Sequence, residues 1–244
     1  LNIRQTVETA AFRWGTLDDV EGNACFDKKA VMELFYKAPY DLLPQFEGPK
    51  GSRLRGGRGK DHPRYGRFIY AFGKVLAPTR VVEVGTYAGG TAIGWGKALM
   101  ENGRGQLICV DNDTYSKNTY PATTQRNLDA VGVSRERVDF RNGDSKNLIP
   151  ALAQEFPKGV DIYLVDGDHT YEGALLDMTN GLPMMKSGSY MLVHDIDRHR
   201  RMDEMTPEHP YPVYEAFQKV VKDQGFDWCI LKFIRKHLGV IRIS

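Results

Sequence analysis

The chain has 244 residues, of which 41% are hydrophobic and 26% charged. Those proportions suit one α/β domain of ordinary size, or such a domain with a short N-terminal appendage, and exclude a disordered chain. Thirty-three Lys and Arg against 31 Asp and Glu give a net charge of +2, too near balance for bulk attraction to nucleic acid or a membrane surface.

No apolar run approaches the ~18–20 residues of a membrane span. Leu1 to Glu8 are polar and do not resemble a secretory signal, and the missing initiator Met leads us to expect further residues ahead of Leu1. The three cysteines, Cys25, Cys109 and Cys229, are widely spaced and show no zinc-ligand pattern. They read as reduced thiols of a cytoplasmic protein.

In chain order, Asp27–Lys37 has helical spacing. Gly48–Arg67 follows, rich in Gly and basic residues; it reads either as a solvated loop or as a lid that contacts an anion. Arg64–Leu76 reads as a helix beside the first strand. We therefore divide the chain into an appendage with a lid loop, 1–63, and a main domain, 64–244. An appendage of this size often joins subunits, which would make the protein a homo-oligomer, or covers the site.

Five apolar runs follow, each ending in a small or acidic residue: Arg80–Gly85, Gln106–Asp111, Val138–Gly143, Val160–Gly167 and Ser189–Asp195. Their near-continuous apolar character fits strands covered on both faces. The segments between them, Thr91–Glu101, Thr119–Val131, Lys146–Phe156 and Tyr171–Met185, read as helices. Alternating strands and helices imply right-handed βαβ units and a doubly wound, Rossmann-like α/β sheet. Val213–Gln224 reads as a helix after Pro210 and Pro212, and Phe226–Phe233 and Leu238–Ile243 as two strands. The gap between those two is too short for a crossover helix, so they should be antiparallel. The expectation is a seven-stranded sheet, mostly parallel, with a C-terminal antiparallel hairpin.

The turn after the first strand reads Glu83-Val84-Gly85-Thr86-Tyr87-Ala88-Gly89-Gly90. Gly85 allows a sharp turn, and Gly89 and Gly90 remove side chains where a ligand touches backbone ahead of a helix N-terminus. The spacing is neither GxGxxG nor a P-loop. Asp111 ends the second strand, where a carboxylate can accept two ribose hydroxyls; with Asn112 and Asp113 it can also cap a turn. Asp144, in Gly143-Asp144-Ser145, is placed to meet an adenine amino group, to cap the next helix, or both.

Together these motifs resemble the S-adenosylmethionine site of class I methyltransferases, over roughly 64–244. The resemblance implies that Glu83, Gly85, Thr86, Tyr87 and Gly89 hold the methionine part. It also implies that Asp111 and Asn112 hold the ribose, and that Asp144 and Ser145 hold the adenine.

The fourth strand runs into Asp166-Gly167-Asp168-His169-Thr170-Tyr171-Glu172, and the fifth into His194-Asp195-Ile196-Asp197. In a parallel sheet these ends are neighbours, and two carboxylates brought together need a cation or a shared proton. Oxygen ligands suit Mg2+; a nitrogen from His194 would admit Mn2+, Fe2+ or Zn2+. The structural alternatives are a helix cap for Asp168 and a core position for His194.

This stretch resembles metal-dependent sugar and natural-product O-methyltransferases and their cephalosporin hydroxylase-like relatives. That resemblance implies a divalent cation, with Mg2+ favoured, held by Asp166 and Asp195, with His194 standing where an acidic residue is usual. It implies that His169 or Asp168 is the base, and that Asp166 also borders the methyl donor. The expected activity is S-adenosylmethionine-dependent O-methylation of a small hydroxylated acceptor, such as a sugar or vicinal diol. N-methylation of an amine, a nucleotide-dependent oxidoreductase and a non-catalytic cofactor-binding partner are the alternatives. Tyr171 and Tyr211 are placed to wall an acceptor pocket, and Arg198, Arg200 and Arg201 either meet an anionic group or are solvated.

Overall fold

The computed structural model describes residues 20–22, 26–37, 62–114, 120–197, 205–232 and 237–244. Its strands are β1 (Val20–Gly22), β2 (Arg80–Val84), β3 (Gln106–Asp111), β4 (Val138–Asn142), β5 (Val160–Val165), β6 (Met185–His194), β7 (Asp227–Leu231) and β8 (Leu238–Arg242). Its α-helices are α1 (Lys28–Lys37), α2 (His62–Leu76), α3 (Gly90–Glu101), α4 (Ala122–Ala130), α5 (Ser145–Glu155), α6 (Tyr171–Gly181) and α7 (Pro212–Gln224).

All the strands form one sheet in the order β1-β7-β8-β6-β5-β2-β3-β4. The pairs β2–β3, β3–β4, β2–β5 and β5–β6 are parallel, while β8 runs antiparallel to both β6 and β7. Without β1, the order is the seven-strand one expected, counted 3-2-1-4-5-7-6 from the β4 edge. The eighth strand is the departure: Val20–Gly22 pairs antiparallel with β7 at the opposite edge. Three residues with a central Glu carry no apolar alternation, so only the unpaired edge of β7 makes them a strand.

Successive residues of each central strand point to opposite faces, and each face has its own helix layer. Val81, Leu107, Ile162 and Leu192 face Val31, Phe35, Phe68, Phe72 and Trp95 from α1, α2 and α3. Val82, Ile108, Tyr163 and Val193 face Ile149, Leu152, Met178 and Phe217 from α5, α6 and α7. Completely buried strand residues on both faces explain the continuous apolar runs.

Several boundaries move inward by a few residues. The helix expected over Tyr171–Met185 stops at Gly181, because Pro183 lies in the 3-10 turn Leu182–Met184 that follows. Residues 62–67 of the expected lid loop lie in α2, where Arg67 is buried. The remainder of that loop, Cys25 and residues 198–201, with Arg198, Arg200 and Arg201, lie outside the described residues. Cys109 and Cys229 are buried in strands. Among the described residues, no helix is long and apolar enough to cross a membrane.

Candidate active site

The chain leaves β2 for β3 on one side and returns to place β5 on the other side of β2. That reversal opens a crevice at the carboxyl ends of β2 and β5, where open α/β sheets bind ligands. Register brings the motifs there: Val84 pairs with Val165, and Val165 with Val193. Gly85, Asp166 and His194, each the next residue along, therefore emerge side by side.

Gly85 sits at φ 82°, and a Cβ there would collide with the carbonyl oxygen of Asp166. Only glycine lets the β2 turn pass so close to the β5 end. The Tyr87 N–H donates to Asp111 Oδ2 over 2.7 Å, and the Asp113 N–H donates to Oδ1 over 2.7 Å. Burial raises the Asp111 carboxyl, and these two N–H groups oppose the shift. Thr124 Oγ1 donates to the Tyr87 carbonyl, and Asn127 Nδ2 to that of Ala88, so α4 latches the glycine turn. Asn112 Oδ1 accepts from the Thr114 N–H. Asp144 Oδ1 accepts from the Lys146 N–H and caps α5, so its helix-cap role is realised. Ser145 opens that helix, and its hydroxyl opposes the upward shift that burial imposes on the carboxyl of Asp177.

Glu83 is different. It is completely buried, and neither carboxylate oxygen has a partner in hydrogen-bonding geometry among the described residues. Burial pushes its carboxyl up to about 8, although the nearby hydroxyls of Thr91 and Thr86 oppose this. A buried carboxylate with only two nearby hydroxyls to offset its burial is a natural seat for a cation.

On the other side of the crevice, two carboxylates alternate with two imidazoles. Asp166 Oδ1 lies 3.2 Å from His194 Nδ1 and 3.5 Å from His169 Nε2. Asp195 Oδ2 lies 3.3 Å from the same His169 nitrogen and 3.7 Å from His194 Nδ1. Asp195 reaches this position from a left-handed backbone conformation, φ 60°, which Asp tolerates better than most residues. Burial would raise the Asp166 carboxyl, but His194 and His169 outweigh it and hold the group well below the usual carboxylate range.

One atom from each of Asp166, His169 and Asp195 lies within 4.8 Å of the others. Ligands bonded to one ion at ~2.0–2.2 Å stand about 3–4.4 Å apart, so this set can close around a divalent cation with little movement. Two oxygens and one nitrogen suit Mg2+, Mn2+, Fe2+ or Zn2+.

Asp168 stands apart from the cluster. Its Oδ1 accepts from the Thr170 N–H and Oγ1, at 2.9 and 2.8 Å, and Thr170 in turn caps α6. Tyr171 stacks on His209, with ring centres 3.7 Å apart, and His209 Nδ1 lies 2.7 Å from Glu215 Oε2. Tyr211 joins the same loop, its N–H donating to Glu215 Oε1.

Sequence reasoning missed Tyr65, which α2 lays against the cluster. Its ring stacks on His194 with centres 4.3 Å apart and an interplanar angle of 11°. Within an amphipathic helix it reads as one more core aromatic, so no local signal marks it.

Residues 82–196 match a protein-family model described as a methyltransferase domain. Over that stretch, just under half of its length, the chain is similar to this methyltransferase-domain family. The domain is 29% identical over 106 residues to a catechol O-methyltransferase of Niastella koreensis, covering 43% of this chain and 45% of that protein. It is 27% identical over 146 residues to a rhamnosyl O-methyltransferase of Mycobacterium bovis, covering 59% of this chain and 56% of that one. The match thus spans about half the length of these curated relatives.

Among solved structures, the SAH-bound methyltransferase PaMTH1 of Podospora anserina superposes with a TM-score of 0.62 at 13% identity, covering 100% of this chain and 97% of that one. An O-methyltransferase from Bacillus cereus, also in complex with SAH, gives 0.59 at 11% identity, with coverage of 97% and 99%. At such identities these two likenesses show the methyltransferase fold alone.

Proposed function

We propose that the chain transfers the methyl group of S-adenosylmethionine to a hydroxyl of a small molecule, assisted by a divalent cation. The observation that carries this reading is the meeting, at one crevice, of the Gly85 turn with the Asp166–His169–Asp195 cluster. Two curated relatives named for catechol and rhamnosyl O-methylation support oxygen as the acceptor atom.

The donor lies across the carboxyl ends of β2, β3 and β4. Its ammonium meets Glu83, its ribose faces Asp111, and its adenine lies near Asp144 and Ser145. Thr86, Tyr87, Gly89 and Asn112 shape this cradle. The sulfonium methyl then points towards Asp166.

A sulfonium methyl is already electrophilic, so the protein must chiefly align oxygen, carbon and sulfur and exclude water. The acceptor hydroxyl must also lose its proton. His169, in its Nδ1–H tautomer, takes that proton at Nε2, and the Asp166 and Asp195 carboxylates stabilise the resulting imidazolium. Asp168 is spent on Thr170, which favours His169 as the base. A divalent cation held by Asp166 and Asp195, with any nitrogen ligand coming from His194 so that His169 Nε2 is left for the proton, would lower the pKa of the acceptor hydroxyl. Tyr171 and Tyr211 wall the acceptor side.

Calorimetric titration of the full chain with S-adenosylmethionine tests the donor, and absence of binding refutes it. Full turnover after EDTA treatment would refute the cation and leave methyl transfer standing. That result would favour an amine acceptor, which needs no metal.

A further inference from the structure

Three side chains near the start of the glycine turn share an unusual condition. The Tyr65 hydroxyl, both Glu83 carboxylate oxygens and Thr86 Oγ1 are buried and outside good hydrogen-bonding geometry with the described residues, although the Thr86 and Thr91 hydroxyls lie near enough to Glu83 to favour its charged form. An orphaned polar group inside a protein is costly, and several in one place imply a ligand that satisfies them. Glu83 and Thr86 belong to the turn. Tyr65 does not: it comes from α2, ahead of the domain's first strand, and is only 6% exposed.

Its ring is held against His194, 4.3 Å away and nearly parallel, so the direction of its hydroxyl is set by packing. A phenol, with its ordinary pKa of ~10, is protonated at neutral pH. The group is therefore a neutral hydrogen-bond donor within the field of Glu83 on one side and the acid cluster on the other.

We infer that Tyr65 is a binding residue for the amino-acid end of the methyl donor, giving its hydroxyl hydrogen to the donor's carboxylate while Glu83 takes the ammonium. This rests on the donor reading above. A zwitterion presents one cation and one anion within a few ångströms. A buried carboxylate beside two buried hydroxyls, those of Tyr65 and Thr86, is the complementary set. The helix ahead of the first strand thus closes the donor pocket as well as packing on the sheet.

The test compares two ligands by calorimetry on the full chain. S-adenosylhomocysteine carries the amino-acid end, and 5′-methylthioadenosine lacks it. With Tyr65→Phe, affinity for S-adenosylhomocysteine should fall about 10- to 100-fold, as for loss of a hydrogen bond to a charged group, while that for 5′-methylthioadenosine stays the same. The thermal midpoint should hold or rise, since Phe removes an orphaned hydroxyl and keeps the ring.

Unchanged S-adenosylhomocysteine affinity, or equal losses for both ligands, overturns the inference. So does a midpoint lowered by several degrees, which would show that the hydroxyl has a structural partner. If the unmodified chain binds neither ligand, the donor reading falls and takes this one with it. If it binds S-adenosylhomocysteine and Tyr65→Phe binds equally well, only the role of Tyr65 falls.

Discussion

The two halves of the crevice treat their polar side chains in opposite ways. At the ends of β2, β3 and β4, carboxylates and amides are tied to nearby backbone: Asp111 to Tyr87 and Asp113, Asn112 to Thr114, Asp144 to Lys146. At the ends of β5 and β6, the side chains of Asp166, His169, His194 and Asp195 face one another. The first half is a preformed cradle whose shape is held by local bonds. The second concentrates charge and proton-accepting groups, which costs stability and supplies chemistry. Glu83 is the exception in the cradle: it is completely buried, and neither of its oxygens is in hydrogen-bonding geometry with a described residue.

Experiments can break this contrast, beginning with the largest effect. His169→Ala should lower turnover by about 10^2 to 10^4 if the imidazole is the base. Steady-state kinetics with S-adenosylmethionine and whichever small hydroxylated acceptor the unmodified chain is found to methylate would check it, and a rate near that of the unmodified chain would remove His169 from that role. Retention of ion binding by the variant, measured with Mn2+ by electron paramagnetic resonance, would separate a base from a ligand.

Next, the cradle should be intolerant of backbone change. Gly85→Ala places a Cβ against the Asp166 carbonyl from a left-handed conformation. Strain of ~1–2 kcal/mol and overpacking of ~1–3 kcal/mol should add to a loss of about 2–5 kcal/mol in chemical denaturation. A loss below ~0.5 kcal/mol would show that the close approach of the two strand ends is not needed.

Glu83 offers a pH test. Its folded value of about 8 lies above the ordinary 4.5, so the folded chain holds a proton that the unfolded chain releases between those values. The stability it contributes is complete below the ordinary value and is lost as pH rises through the folded one, on the order of 5 kcal/mol in all. Thermal midpoints from pH 5 to 9 should fall more steeply for the unmodified chain than for Glu83→Gln, and saturating donor should flatten the difference by supplying the ammonium. Parallel curves would show that the buried carboxyl already has a partner.

The smallest effect should come from Asp168→Ala. Loss of the bonds to Thr170 should cost about 1 kcal/mol, as for a helix cap, with turnover within a few-fold of the unmodified chain. A drop in rate as large as that of His169→Ala would transfer the base to Asp168 and erase its assignment to the framework.

Much of the fold is legible from local pattern. The runs RVVEV, QLICVD and VDIYLV are apolar on both sides because helices cover both faces of the sheet, and that alone implies parallel strands and crossovers. The acids at the strand ends can be found the same way, since a polar residue terminating an apolar run must sit at the rim. Val20–Gly22 cannot, because pairing with a distant edge makes it a strand. Nor can Tyr65, whose spacing is that of an ordinary core residue.

The order of residues by itself determined which side chains reach the carboxyl rim, because hydrophobic burial and chain continuity act on nearest neighbours. Which atoms then meet was decided only by folding. Strand register set Asp166 beside His194, a left-handed Asp195 brought its carboxylate to His169, and α2 carried Tyr65 onto the cluster. Those contacts join segments far apart in the chain, so their geometry depends on packing that no local pattern encodes.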